Sequence, residues 1–219
     1  INTKSVEETD YLDNGNVTKK TEFFYDSAHH TQLTHKKETT SEGSDVLESR
    51  FFYPEPGFVT GSLPNGNLTA AQAVAVNTMA GQNSISTPVQ VQEYRNSEPL
   101  STQRTLFKDW DTGTGIMIQP EVIQTSKGAN ALENRVRYNR VDPANGNPLE
   151  VQQENGMKTC YIWGYDKKLP VAKIENIAYA SIPQNLITAI QTASDAANYS
   201  EAVMLQQLDA LQAFARVVE

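Results

Sequence analysis

Along most of the chain apolar and polar residues alternate with a period of two, the pattern of half-buried strands. Val6–Leu12 and Val17–Tyr25 flank Asp13-Asn14-Gly15-Asn16, where Asn-Gly offers the positive-φ positions that a tight hairpin turn needs. In the second strand Val17, Lys19, Thr21, Phe23 and Tyr25 face one way, and Thr18, Lys20, Glu22 and Phe24 the other. The alternation breaks at Phe23-Phe24-Tyr25, which predicts burial on both faces there. His29 to Glu38 continues the strand pattern, and a Ser/Gly/Asp turn over Ser41–Asp45 leads into Val46–Tyr53. Pro54-Glu55-Pro56-Gly57 stops that strand, because proline has no N–H for a ladder. The endings Phe23-Phe24-Tyr25-Asp26 and Phe51-Phe52-Tyr53-Pro54 lie 28 residues apart, which predicts stacked supersecondary units rather than one closed globule.

From Asn65 to Asn83 the period changes. Ala73, Val76, Met79 and Ala80 fall on one helical face, with Asn67 or Thr69 able to cap the start and Gly81 the end. Strands resume at Val89–Tyr94, turn at Asn96–Pro99, and continue through Ser101–Trp110, with two or three more in Met117–Tyr138. Arg135–Val141, Leu149–Gln153, Lys158–Tyr165 and Val171–Glu175 then form a β-meander, joined by Asp142–Asn147, Asn155-Gly156 and Asp166–Lys168. Thr159, Tyr161, Trp163 and Tyr165 share a face of the third of these strands. Such a stripe is a core or cross-strand ladder, the favoured reading, or else an exposed aromatic platform for sugars or a partner protein. After Ile177 the composition turns to Ala, Gln, Leu and Ile: Ser181 and Pro183 open a helix to about Thr192, and Asn198 or Ser200 opens a second. The second carries Val203, Met204, Leu208, Leu211 and Ala215 at helical spacing, so an αα-hairpin is expected.

The expected architecture is therefore mainly β: antiparallel hairpins and a meander in one extended, twisted sheet, with one short inserted helix and a C-terminal αα-hairpin. Its segments are hairpin repeats over 1–64, the inserted helix over 65–83, the meander over 84–176 and the helical pair over 177–219. The sequence starts at Ile1 in strand-like pattern and stops in helix-like pattern, which reads as a piece of a longer protein.

The residues Tyr138…Asp142…Gly146-Asn147, then Gly156…Tyr161-Ile162-Trp163-Gly164-Tyr165-Asp166, resemble the RHS/YD-repeat family. The 27-residue spacing from Tyr138 to Tyr165 exceeds that family's unit, so the repeats are degenerate. The block through Pro170-Val171-Ala172-Lys173-Ile174 to Tyr179, followed by Ala/Gln-rich helices, is similar to large bacterial surface-associated RHS proteins. The resemblance is good over Arg135–Arg216 and looser before it. It implies an exported β scaffold, used for adhesion at the cell surface or as part of a shell enclosing a toxin. No residue matches the family's self-cleavage motif, so no catalytic role carries over.

Composition narrows the partners. Eighteen Lys+Arg against 26 Asp+Glu leave a net charge of −8, which argues against nucleic acid, whose binding needs clustered cations. No apolar run is long enough to insert in a membrane as a helix. The expected partners are neighbouring repeats of the same chain and, through open sheet edges, further copies of the piece. One cysteine, Cys160, excludes an intrachain disulfide and is expected to be a buried inert thiol.

Three other patterns carry candidate chemistry. His29, His30 and His35 are imidazoles of the kind that hold metals, with His29 and His35 on one strand face, but a solvated polar strand is the simpler reading. Asp109-x-Asp111-x-Gly113 opens like a calcium loop and lacks the later Glu, so a turn is preferred. Among the carboxylates Glu121, Glu133, Asp142 and Asp166, the last two match the repeat's turn position, where Asp bonds nearby N–H groups. No cofactor, metal or catalytic residue is assigned.

Overall fold

The structure, a computed structural model, describes residues 4–40, 45–111, 113 and 115–218, without the side chains of 216–218. Among the described residues it is mainly β: eleven antiparallel strands, each hydrogen-bonded to the next in chain order, and three α-helices. The chain divides into two compact units, one holding residues up to Asp111 with Ile116–Arg135, the other running on from Val136.

The first unit begins with β1 (Ser5–Leu12) and β2 (Gly15–Phe24), paired from Ser5↔Glu22 to Leu12↔Gly15. The loop is therefore Asp13-Asn14, and only Gly15 takes positive φ, at 134°. The Asn-Gly pair does not fill both central turn positions as expected. β1 is exposed at every residue, and the Phe23-Phe24-Tyr25 end of β2 is half-buried rather than buried on both faces. β3 spans only His35–Thr40. His29 to Thr34 is loop, not strand, because Ser27 Oγ and the His30 ring take backbone N–H groups that a ladder would need (His29 and His30 N–H to Ser27 Oγ, Gln32 N–H to His30 Nδ1). The expected turn over Ser41–Asp45 lies mostly outside the described residues. β4 (Val46–Phe52) ends before Pro54, and β2 and β4 end 28 residues apart at Phe24 and Phe52, the spacing of the aromatic repeat.

Helix α1 (Ala70–Gly81) starts at a capping box in which Thr69 Oγ1 accepts from Gln72 N–H and Gln72 Oε1 from Thr69 N–H. Its end differs from expectation: the left-handed residue is Asn83 (φ 58°), not Gly81. Ala73, Ala75, Val76 and Met79 are buried, and α1 packs on β6 (Glu98–Asp109) and β7 (Ile118–Lys127). β5 (Gln90–Arg95) joins β6 through Asn96-Ser97, both at positive φ (53° and 70°), so Glu98 and Pro99 belong to the strand rather than the turn. Leu63, Leu68, Val76, Met79, Val89 and Phe107 form this unit's apolar core. Beside it the sheet buries a polar row: Gln90 opposite Arg104 and Gln92 opposite Thr102, all at 2% exposure or less. Arg104 donates to Gln90 Oε1 (2.6 Å) and to the carbonyls of Pro64 (2.7 Å) and Asn65, clamping the loop ahead of α1 onto the sheet.

The second unit carries β8 (Glu133–Val141, entering from the first), β9 (Pro148–Gln153), β10 (Lys158–Gly164) and β11 (Leu169–Glu175). The final helices are α2 (Gln184–Asp195) and α3 (Glu201–Val218), packed on each other as the expected αα-hairpin. Ser181 does not cap α2. It ends a 3-10 turn at Tyr179–Ser181, and Pro183 occupies the cap position. Cys160 and Ile162 of β10 pack with Ile174, Ile187, Ile190, Met204 and Leu211, and Ile162 and Ile190 are fully buried. Each such side chain contributes about 1.5–3 kcal/mol through removal from water.

Candidate functional site

Of the residues read as a repeat motif, Asp142, Gly146, Asn147, Tyr165 and Asp166 lie in two turns of the second unit, β8–β9 and β10–β11. Asp142 Oδ1 accepts from Ala144 N–H (2.9 Å) while Oδ2 meets Lys167 Nζ (2.8 Å), and Asn147 Nδ2 donates to the Lys167 carbonyl (2.7 Å). The β8–β9 turn, with Gly146 at φ 80°, is thereby tied to the β10–β11 turn. Burial raises the Asp142 carboxyl, but Lys167 and the Ala144 N–H outweigh it and hold it below its usual range. Asp166 behaves otherwise: its N–H donates to Asp195 Oδ1 (2.8 Å), and its exposed carboxylate meets Lys168 (3.3 Å). Gly156 follows Asn155 (φ 56°) in the β9–β10 turn, and Tyr138 is half-buried on β8 opposite Val151.

The aromatic stripe is shorter than expected. Tyr161 and Trp163 share a face of β10, but Tyr165 leaves the strand and opens a turn, Tyr165-Asp166-Lys167, with three consecutive left-handed residues (φ 52°, 55° and 59°). The cause lies in Gly164, where a Cβ would collide with Ser194 Oγ and sit 2.8 Å from Ser194 Cβ. Close approach of α2 bends the chain there, and Tyr165 N–H donates to Ser194 Oγ (3.2 Å). Tyr161 and Trp163 are half-buried, on the strand face opposite Cys160 and Ile162. Trp163 Nε1–H donates to the Pro148 carbonyl (2.9 Å), and its carbonyl accepts from Gln191 Nε2 (3.0 Å). Glu150 was not singled out from sequence. It accepts from Asn139, Lys158 and the Tyr179 N–H, a set of partners 11, 8 and 29 residues away in sequence that no local pattern marks.

In the first unit Phe51, Phe52 and Tyr53 of the second aromatic ending, with Asp26 of the first, border a cavity of about 720 Å³. The 26–35 segment, the end of β4 and residues 55–58 line it. His30, its side chain only 2% exposed, accepts at Nδ1 from Gln32 N–H (3.2 Å), so Nε2 carries the hydrogen that faces Glu55 Oε1 (3.0 Å). Ser27 Oγ donates to the same oxygen (2.7 Å). Serine and imidazole thus both address the carboxylate, which is not the relay order of a nucleophilic triad. His35 Nδ1 lies 3.2 Å from Asp26 Oδ2, and its ring stacks on Phe24 (centroids 3.9 Å, planes 9° apart). Tyr53 stands edge-on to His30 at 5.0 Å, and burial pushes its hydroxyl up. Ser27, Asp26 and Glu55 escaped sequence reading, although Asp-Ser after an aromatic strand end is turn chemistry.

The three histidines do not come together as a ligand set: His29 is exposed, and His30 and His35 each have a separate carboxylate. They also do not share a strand, which corrects the expectation for His29 and His35. Among the described residues, no group of three His, Cys, Asp or Glu is placed to hold a metal ion. Asp109 Oδ1 accepts from the N–H groups of Asp111 (3.0 Å) and Met117 (2.9 Å), which is turn chemistry. Thr112 and Thr114 of that segment lie outside the described residues. Glu121 meets Lys108 and Glu133 meets Arg135. Cys160 donates to the Ile177 carbonyl (3.2 Å), and burial, reinforced by the Glu150 charge, pushes its thiol up to about 11. Compared with known proteins, the chain matches no family model, no curated protein and no solved structure.

Proposed function

We propose that this chain is a non-catalytic scaffold or adhesion segment of a large exported protein of the RHS/YD-repeat kind. The observation that carries the reading is the strand order: each strand pairs with its chain neighbour, the arrangement of proteins that grow by adding units along one direction. Asp142, Asn147, Gly146 and Gly164 support it, because their contacts hold turns and close approaches. β1 stands at the end of the strand order, exposed at every residue, so isolated copies have an edge available for strand pairing. Light scattering over a wide concentration range tests this. Concentration-dependent self-association is expected, and a strict monomer at the highest concentration sinks the open-edge scaffold.

A second reading rests on Tyr161 and Trp163, which face away from the buried side of β10. It makes the segment a carbohydrate- or protein-binding module, with Tyr165 excluded from the platform by its place in the turn. Trp163 fluorescence in a Trp110→Phe variant separates the two. The scaffold gives no saturable response to an oligosaccharide panel, whereas the module does.

A further inference from the structure

We propose that the cavity between the 26–35 segment and residues 55–58 is a binding site for an organic ammonium group, such as an alkylamine or a lysine-like side chain. Its volume, about 720 Å³, lies within the range of small-molecule sites, roughly 300–1,000 Å³. Its walls combine the apolar side chains Phe51, Phe52 and Phe58 and the ring of Tyr53 with two carboxylates, Asp26 and Glu55. Aromatic walls beside oriented anions are the chemistry that attracts an ammonium.

The carboxylates are oriented before any ligand arrives. Glu55 Oε1 is held by Ser27 Oγ and His30 Nε2, and Asp26 Oδ2 by His35 Nδ1, while the Asp26 N–H donates to Thr34 Oγ1. In each, one oxygen is anchored from behind and the other is left to accept. The cation in the lining is already engaged: Arg50 Nε meets Glu48 (2.7 Å), and its guanidinium lies 4.6 Å from the Tyr94 ring centre. His30 Nδ1 is spent on Gln32 N–H. The lining therefore sets two carboxylates against one guanidinium that is itself paired with Glu48, a balance that favours a cation over phosphate.

Titration calorimetry with cadaverine tests the site, with methyl glucoside and inorganic phosphate as competing probes. Saturable cadaverine binding is expected, weakened by at least about tenfold in Asp26→Asn or Glu55→Gln and by high salt. Glu201→Gln, in the other unit, leaves affinity unchanged. Glu55→Gln also disturbs the contacts to Ser27 and His30. Asp26→Asn, whose side chain is 64% exposed, therefore decides the matter if the first variant loses its fold by circular dichroism. Absence of saturable binding at millimolar cadaverine, equal or tighter binding of glucoside or phosphate, or indifference to Asp26→Asn each overturns the assignment.

Discussion

In the unit that closes at Arg135 the buried row of the sheet is written in Gln, Thr and Arg, whereas β10 in the other unit buries Cys160, Ile162 and Gly164. The covering element explains the contrast. Over β10 lies an αα-hairpin with Ile187, Ile190, Met204 and Leu211 facing inward, so apolar strand residues meet apolar partners. Over Gln90 and Arg104 lies a loop whose Pro64 and Asn65 carbonyls need donors, and long polar side chains supply them. Strand alternation decides which residues face inward. What waits there decides whether an inward residue should be oily or hydrogen-bonding.

Each unit has its own tryptophan, Trp110 in the first and Trp163 in the second, so their stabilities can be read separately. The largest effect is expected from Ile190→Ala, which empties a fully buried position and lowers the Trp163 unfolding transition by about 3–4 kcal/mol. A shift below about 1 kcal/mol would show that the helical cover is not the source of this unit's stability. Arg104→Met is next. It strands the Gln90 Oε1 acceptor, leaves the Pro64 carbonyl with Gln90 Nε2 alone, and is expected to cost about 2–3 kcal/mol in the Trp110 transition. Because burial lowers the Arg104 guanidinium and, among the described residues, no carboxylate pairs with it, a stabilised variant would show that the cost of burying the charge outweighs its bonds.

Gly164→Ala should cost about 2 kcal/mol by forcing Ser194 and α2 away, and Ser194→Ala in the same chain should recover part of it. Thr69→Ala removes half of the capping box and should cost about 1 kcal/mol, read by the Trp110 transition or by helix dichroism. The mildest test is acid. Burial raises Asp142 and Glu150, but Lys167 for the first and Lys158 with the Tyr179 N–H for the second bring both below the ordinary range. Their contribution is complete above the unfolded carboxylate value, about 4, and is lost as pH falls through the depressed folded values. Glu150→Gln should flatten the acid slope of the Trp163 transition, and an unchanged slope would remove Glu150 as its source.

Much of the strand framework was legible because period-two alternation and turn residues are local. Pro54 ends β4 and the Asn155-Gly156 turn falls between β9 and β10 as read. The errors share one cause. His29 to Thr34 looked like strand, yet Ser27 Oγ and the His30 ring capture its N–H groups. Tyr165 looked like the fourth member of a stripe, yet α2 presses on Gly164 and turns the chain first. Of the cavity, the Phe51-Phe52-Tyr53 ending and the histidines are visible in sequence, but not the pairing of His35 with Asp26 and of His30 with Glu55. His30 and Glu55 are 25 residues apart and meet only because the loops after β2 and β4 close on each other.

The sequence by itself determined the strand framework, the three helices and the 28-residue spacing that ends β2 and β4 alike, because backbone period, proline and capping act over a few residues. Only the tertiary structure decided which inward positions are polar, where β10 ends and which carboxylates back the histidines. Those outcomes depend on the distance of closest approach between elements far apart in the chain, and burial makes each such contact cost or contribute more than any local preference.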